Sequence, residues 1–306
     1  MVVESQAWLV CLAAAAVTAA AAAAGCFLVR GSTAVPAAAW AALAAVSFGL
    51  EAAWRASGGL RDPAAADCCR LAVAALSLCP IMAVLGGKRP QHGVWQFIVA
   101  TLAGVVMLPA ASAVLVRPGS VPDVHPLQRW LMLVLVLVAG MNYAATRRAA
   151  AAGLVVAGQA MLLRRWLPFG EVSPPSPWFD ASAAGLIAVG AALATLQSFA
   201  WPVRRGGAVV GVGDADDPAA VVGGPFLALR ETLGAAWSLR IVERFNAVAA
   251  DRGWPCRMAF DGFHGGDAEP DAAWRGDAIR TGRALLRRFV TADWLRRHAA
   301  ESADGR

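Results

Sequence analysis

The sequence predicts a mainly α-helical integral membrane protein, a polytopic bundle of about seven transmembrane helices followed by a small, mostly helical soluble C-terminal domain. Three observations predict it. The 306 residues are 58% hydrophobic and 16% charged, whereas the apolar share of soluble domains is roughly 45–50%. The charges crowd into short connecting segments and the last hundred residues, leaving long apolar stretches between them. Several of these stretches reach the roughly 20 residues that a helix needs to cross a hydrocarbon core.

The first span is predicted at residues 7–29, which carry no charge. The six residues before it include Glu4 and no Lys or Arg, which argues against a secretory signal peptide. Further spans are predicted at 36–54, 71–87, 93–116, 127–146, 149–166 and 183–202. The first two are dominated by alanine, a residue small enough to permit close helix contacts, so they are expected inside the bundle. Residues 131–140 form the most lipophilic stretch. The sixth span is short: Ala149–Leu163, 15 residues, separates Arg147 and Arg148 from Arg164 and Arg165. Snorkelling arginines could extend it to a crossing, and the alternative is a re-entrant or interfacial helix. Tryptophans mark the edges, as expected for a ring that prefers the interface. Trp8, Trp95 and Trp130 open spans, Trp54, Trp166 and Trp201 close them, and Trp178 precedes the seventh.

Residues 204–225, rich in Gly and holding Asp214, Asp216 and Asp217, read as a linker. They lack the Lys and Ser or Thr of a phosphate-binding loop and the Gly and terminal Glu of a calcium loop. A soluble domain is predicted over 226–300, with a tail at 301–306. It begins with a helix from Phe226 to near Gly253, whose stripe Leu229, Leu233, Trp237, Ile241 and Phe245 repeats every four residues. One short strand is predicted within Arg257–Phe263 and a second helix over 271–289. Thr291 reads as the N-cap of a last short helix. So small a core is expected to need a covering surface, and the stripe is the predicted partner-binding face, for another protein or for self-association.

Net charge is +6. The excess lies on the membrane part, with 12 Lys and Arg against 7 Asp and Glu before residue 203 and 15 against 14 beyond it. That distribution points to lipid headgroups as partners, and nucleic acid is not predicted. Basic residues do not settle sidedness, since seven spans leave seven on each side. The longer connections on one side lead us to expect the C-terminal domain in the cytosol. The Ala, Gly, Arg and Val bias suggests a bacterial cytoplasmic membrane.

Chemistry is sparse. Glu51 is the one acid inside a predicted span, and it lies one turn before Trp54 and Arg55, where it can hydrate or pair with that arginine as an interfacial anchor, or serve as a proton or cation site. Asn142, Gln159 and Gln197 are neutral polar candidates, expected to hydrogen-bond between helices or to line a solute path. In the C-terminal part Asp261, His264 and Asp267 could serve acid–base or metal chemistry, or simply form a solvated turn. Adjacent Cys68 and Cys69 lack a second metal-binding half. No catalytic residue, metal ligand set or cofactor is predicted. The expected function is a non-catalytic membrane anchor for a cytosolic helical interaction module, with a small-solute transporter or channel as the alternative and a membrane-bound enzyme as a third.

Overall fold

The computed structural model describes residues 2–88, 92–170, 176–199, 218–265 and 273–303. Seven helices form an antiparallel bundle: α1 Val2–Leu28, α2 Val35–Ala56, α3 Pro63–Leu85, α4 His92–Leu115, α5 Pro126–Ala144, α6 Ala149–Leu163 and α7 Pro177–Phe199. Six of them, all but α6, are long and apolar enough to cross a membrane. At 15 residues α6 falls short of that length, so the expected count of seven is met for bundle helices but not for long apolar ones.

Two helices start well before the predicted spans. Asp62 accepts hydrogen bonds from the backbone N–H of Ala64 (3.1 Å) and Ala65 (3.3 Å), and Pro63 sits in the first turn, so α3 begins at Pro63 rather than near residue 71. Pro177 likewise opens α7, six residues ahead of the predicted start. His125 caps α5, accepting from Leu127 N–H at 3.2 Å, while Gln128 reaches back to the His125 N–H. Asp67, Arg70 and Asp180 fall outside the predicted spans, whereas local capping chemistry puts all three in helices.

Small residues set the spacing of α6 and α7. A Cβ on Gly158 would meet the Ala183 carbonyl oxygen at 2.5 Å, and one on Gly190 would meet that of Ala151 at 2.7 Å. The two backbones therefore approach at both glycines, as membrane helices do where dispersion forces drive contact. Although only 15 residues long, α6 reaches both ends of the bundle. At one end Arg148 donates to the Ser198 hydroxyl at 2.6 Å, and at the other, within the 3-10 turn Arg164–Trp166 that follows α6, the Arg165 side chain pairs with Asp67 at 2.6 Å. Trp166, predicted at the interface, is buried in the bundle core.

The C-terminal segment adds a π-helical turn, Ala219–Gly223, then α8 Gly224–Leu233, α9 Ala235–Asp251, a two-stranded antiparallel hairpin (β1 Arg257–Ala259, β2 Gly262–His264), α10 Trp274–Leu286 and α11 Ala292–Ala303. The linker expected at 204–225 lies outside the described residues up to 217, and from 218 the chain is already helical. The single helix expected from Phe226 is two helices, divided at Gly234 (φ +79°), and the single strand is a hairpin turned at Phe260 and Asp261. Thr291 does cap α11, accepting from Trp294 N–H at 3.2 Å.

Leu229, Leu233, Ile241 and Phe245 are almost wholly buried in a cluster with Met258, Leu286 and Trp294, and Trp237 packs at its margin. The stripe predicted as a partner-binding face is thus covered by the chain itself. Its helical period is real, and what fills it is the hairpin with α10 and α11.

Candidate functional site

The bundle has two chemically different ends. At the first, which we call the ionic end, the last turns of α2 meet the first turns of α3 and α7. Arg70 Nε donates to both oxygens of Glu51 (2.8 and 2.9 Å), and its Nη1 pairs with Asp180 at 3.0 Å. Arg55 holds Glu51 from the other side at 2.8 Å and also donates to the Ala66 carbonyl. Glu51, Arg70 and Asp180 are each more than nine-tenths buried. Glu51 thus pairs with Arg55, one turn on, and is also one member of a three-helix ion cluster, whose Arg70 and Asp180 the sequence reading missed. The available signal was the pair of helix starts at Asp62-Pro63 and Ser176-Pro177. Beside the cluster lies a chamber of about 30 Å³ lined by Arg55, Asp67, Arg70, Arg164, Arg165, Trp166 and Asp180 among others. That is room for about one water molecule.

The other end is closed by hydrogen bonds to the C-terminal segment, most of them between neutral groups, with the Glu231 carboxylate accepting from Arg147 N–H (3.0 Å) and Arg297 donating to the Arg30 carbonyl (2.9 Å). Asn142 Nδ2 donates to the Leu233 carbonyl at 2.9 Å, and its Oδ1 accepts from Ala236 N–H at 3.0 Å. One side chain of α5 thus satisfies the last carbonyl of α8 and an opening N–H of α9, the groups that the break at Gly234 leaves unpaired. A Cβ at residue 234 would collide with that same amide, so glycine is required for both its φ and its size. Tyr143 donates to the Thr232 carbonyl, and Trp237 Nε1 to the Val84 carbonyl at 2.8 Å. A short antiparallel bridge joins Ser32 to Val290, flanked by bonds from Thr33 N–H to Phe289 (2.9 Å) and from Thr291 N–H to Gly31 (2.7 Å).

Between the two ends lies a cavity of about 370 Å³ walled by α1, α2, α3, α5, α6 and α7 and reaching Thr232 of α8. Its lining is mainly Ala, Gly and Val with Phe48, Ile81, Leu162 and Ile187; Arg148 is the one charged residue in it. Gln159 lines this cavity, but its amide donates to the Ser77 carbonyl at 2.6 Å, tying α6 to α3 one turn ahead of Pro80. The predicted polar set does not converge on one point: Glu51 belongs to the ionic end, Asn142 to the capped end and Gln159 to the cavity wall. Gln197 lies in the last turns of α7, with a buried Oε1 that accepts no hydrogen bond among the described residues.

The remaining candidates lie on the C-terminal hairpin or, for the adjacent cysteines, in α3 beside Arg70. His264 Nε2 and Asp261 Oδ1 lie 2.7 Å apart on the exposed hairpin, and the hydrogen bond from His264 holds the Asp261 carboxyl below its ordinary range. Asp267 lies outside the described residues. Cys68 is buried and Cys69 partly so, both as free thiols. Burial pushes the Cys256 thiol up to about 11. No family model, no curated protein and no solved structure matches this chain.

Proposed function

We propose that this is a seven-span membrane protein that holds a lipid-like molecule within its helical bundle, with the C-terminal segment acting as a cytosolic cap. The observation that carries the reading is the cavity of about 370 Å³, whose size and apolar lining with few polar groups are those of a small-molecule site. An alanine-rich wall offers contact area and almost no hydrogen-bonding groups, which suits a hydrocarbon chain and not a hydrated ion. Seven crossings are supported by α6, which joins both ends of the bundle despite its length.

The expected anchor for a partner-binding module is the second reading. It has less support, because Leu229, Leu233, Ile241 and Phe245 are already covered and the segment is fastened to the bundle at Asn142, Tyr143, Trp237 and Thr33. A hydrophilic solute path would need the polar side chains to share one space, which Glu51 and Asn142 do not.

Native mass spectrometry of the full chain in detergent tests the proposal. The expected result is a lipid-sized adduct that survives delipidation and is lost when the cavity is filled by Ala152→Phe or Ala191→Phe. Absence of any adduct, or one that both substitutions leave in place, would overturn it.

A further inference from the structure

We infer that the molecule held in the cavity is a single-chain amphiphile with an anionic head, a carboxylate or phosphate, and that Arg148 anchors that head; the inference rests on the cavity reading above. The other polar side chains of the wall spend their donors within the protein. Thr18 donates to the Ala14 carbonyl at 2.8 Å, Thr195 to Ala191 at 2.9 Å, Ser77 to Ala74 at 2.7 Å, and Tyr143 to Thr232 at 3.1 Å.

Arg148 is different. Its guanidinium carries five N–H groups, of which one bond goes to the Ser198 hydroxyl at 2.6 Å. Among the described residues no carboxylate lies within ion-pair distance of it. The acid on the facing element, Glu231, is held instead by the Arg230 side chain at 2.7 Å and by the Arg147 backbone N–H at 3.0 Å. A cation against an apolar wall in a membrane protein is costly without a counter-charge. The planar fork of arginine matches two oxygens of a carboxylate or phosphate. Arg148 is also the N-cap residue of α6, which has no side-chain cap, so the positive end of that helix reinforces the site.

Head and chain are then placed by the same geometry. The head sits under the C-terminal cap beside Arg148 and Ser198, and the chain runs along α1, α2 and α7 toward Phe48 at the ionic end.

The test compares three ligands of one chain length, hexadecanoate, hexadecyl phosphate and hexadecanol, by equilibrium binding of radiolabelled ligand to the purified full chain in detergent. The expected result is that an anion binds about tenfold more tightly than the alcohol, and that Arg148→Gln removes this advantage while leaving alcohol binding intact. Arg148→Lys should keep part of it. The ratio between the two anions then tells a fatty acid from a phosphate-bearing lipid. Equal binding of alcohol and anions, or an anion preference that survives Arg148→Gln, would overturn the headgroup assignment and leave the cavity reading standing. Failure of all three to bind the unsubstituted protein would remove the cavity reading and this inference with it. Unchanged hexadecanol binding shows that the substituted bundle remains folded.

Discussion

At the ionic end of the bundle three helices are joined by charge paired with charge, through Glu51, Arg70 and Asp180; at the capped end the joints are single hydrogen bonds, most of them neutral, through Asn142, Tyr143, Trp237 and the Ser32–Val290 bridge, with the Glu231 carboxylate and the Arg297 guanidinium each bonded to a backbone group of the bundle. The difference has consequences. A buried ion cluster is all-or-none, because removing one member strands the others in low dielectric. A seam of mostly neutral single hydrogen bonds fails by smaller steps, each neutral bond contributing about 0.5–1.5 kcal/mol net. The ionic end is therefore suited to fix α2, α3 and α7 against one another, and the capped end to release and re-form. Access to the cavity is expected from the capped side.

The largest effect should come from Arg70→Met. It leaves Asp180 buried without its partner and Glu51 held by Arg55 alone, and the expected loss is about 3–5 kcal/mol, visible as a lowered unfolding midpoint in detergent. The triple replacement Glu51→Gln, Arg70→Met, Asp180→Asn should recover much of it. An unchanged midpoint for Arg70→Met alone would mean that the ionic end is not a tie.

At the capped end Asn142→Ala removes two hydrogen bonds and should cost about 1–3 kcal/mol. The loss should be local, read as faster proteolysis within residues 218–303 with the bundle intact. If the bundle unfolds together with the segment, the contrast between the two ends is wrong.

Smaller again is Gly158→Ala, which affects neither end. The added methyl must push against Ala183 and Ile187, and overpacking of about 1–3 kcal/mol is offset by about 1 kcal/mol of helix propensity. A modest fall in midpoint is expected, and a rise would show that α6 and α7 are not held at contact distance.

The smallest effect concerns Cys256. Its thiol titrates near 11 in the folded chain, against 9.0 for an unperturbed thiol. The raised value means that the stabilising contribution is complete below pH 9 and is lost as pH climbs toward about 11. At pH 8 alkylation mapped residue by residue should find Cys256 much slower than the partly exposed Cys26; equal rates would contradict its burial.

How much of this was legible in the sequence differs from element to element. Long apolar runs located six bundle helices, because hydrocarbon thickness sets their length. The starts of α3 and α7 were missed because hydropathy ends at the first charge, whereas Asp62 and the prolines at 63 and 177 continue the helix past it. Once those turns are helical, Arg70 and Asp180 fall beside Glu51. The break at Gly234 was hidden for the opposite reason: the stripe Leu229, Leu233, Trp237, Ile241 and Phe245 keeps its spacing straight through it. Only Asn142, about ninety residues away in the chain, explains why the break is tolerated. The cavity left no trace, since alanine-rich helices can pack shut or stand apart with the same residues.

The central claim is that residues 218–303 are a cap seated on the bundle and not a free module. Ser32 and Val290 are bridge partners, and such antiparallel pairs lie about 4.5–5.5 Å apart at Cα, inside the range a disulfide can close. Replacing both by cysteine in a chain otherwise free of cysteine, then oxidising in native membranes, gives the most direct measurement. A near-complete intramolecular cross-link is the predicted result. Absence of the cross-link, with both cysteines still open to alkylation, would contradict the account.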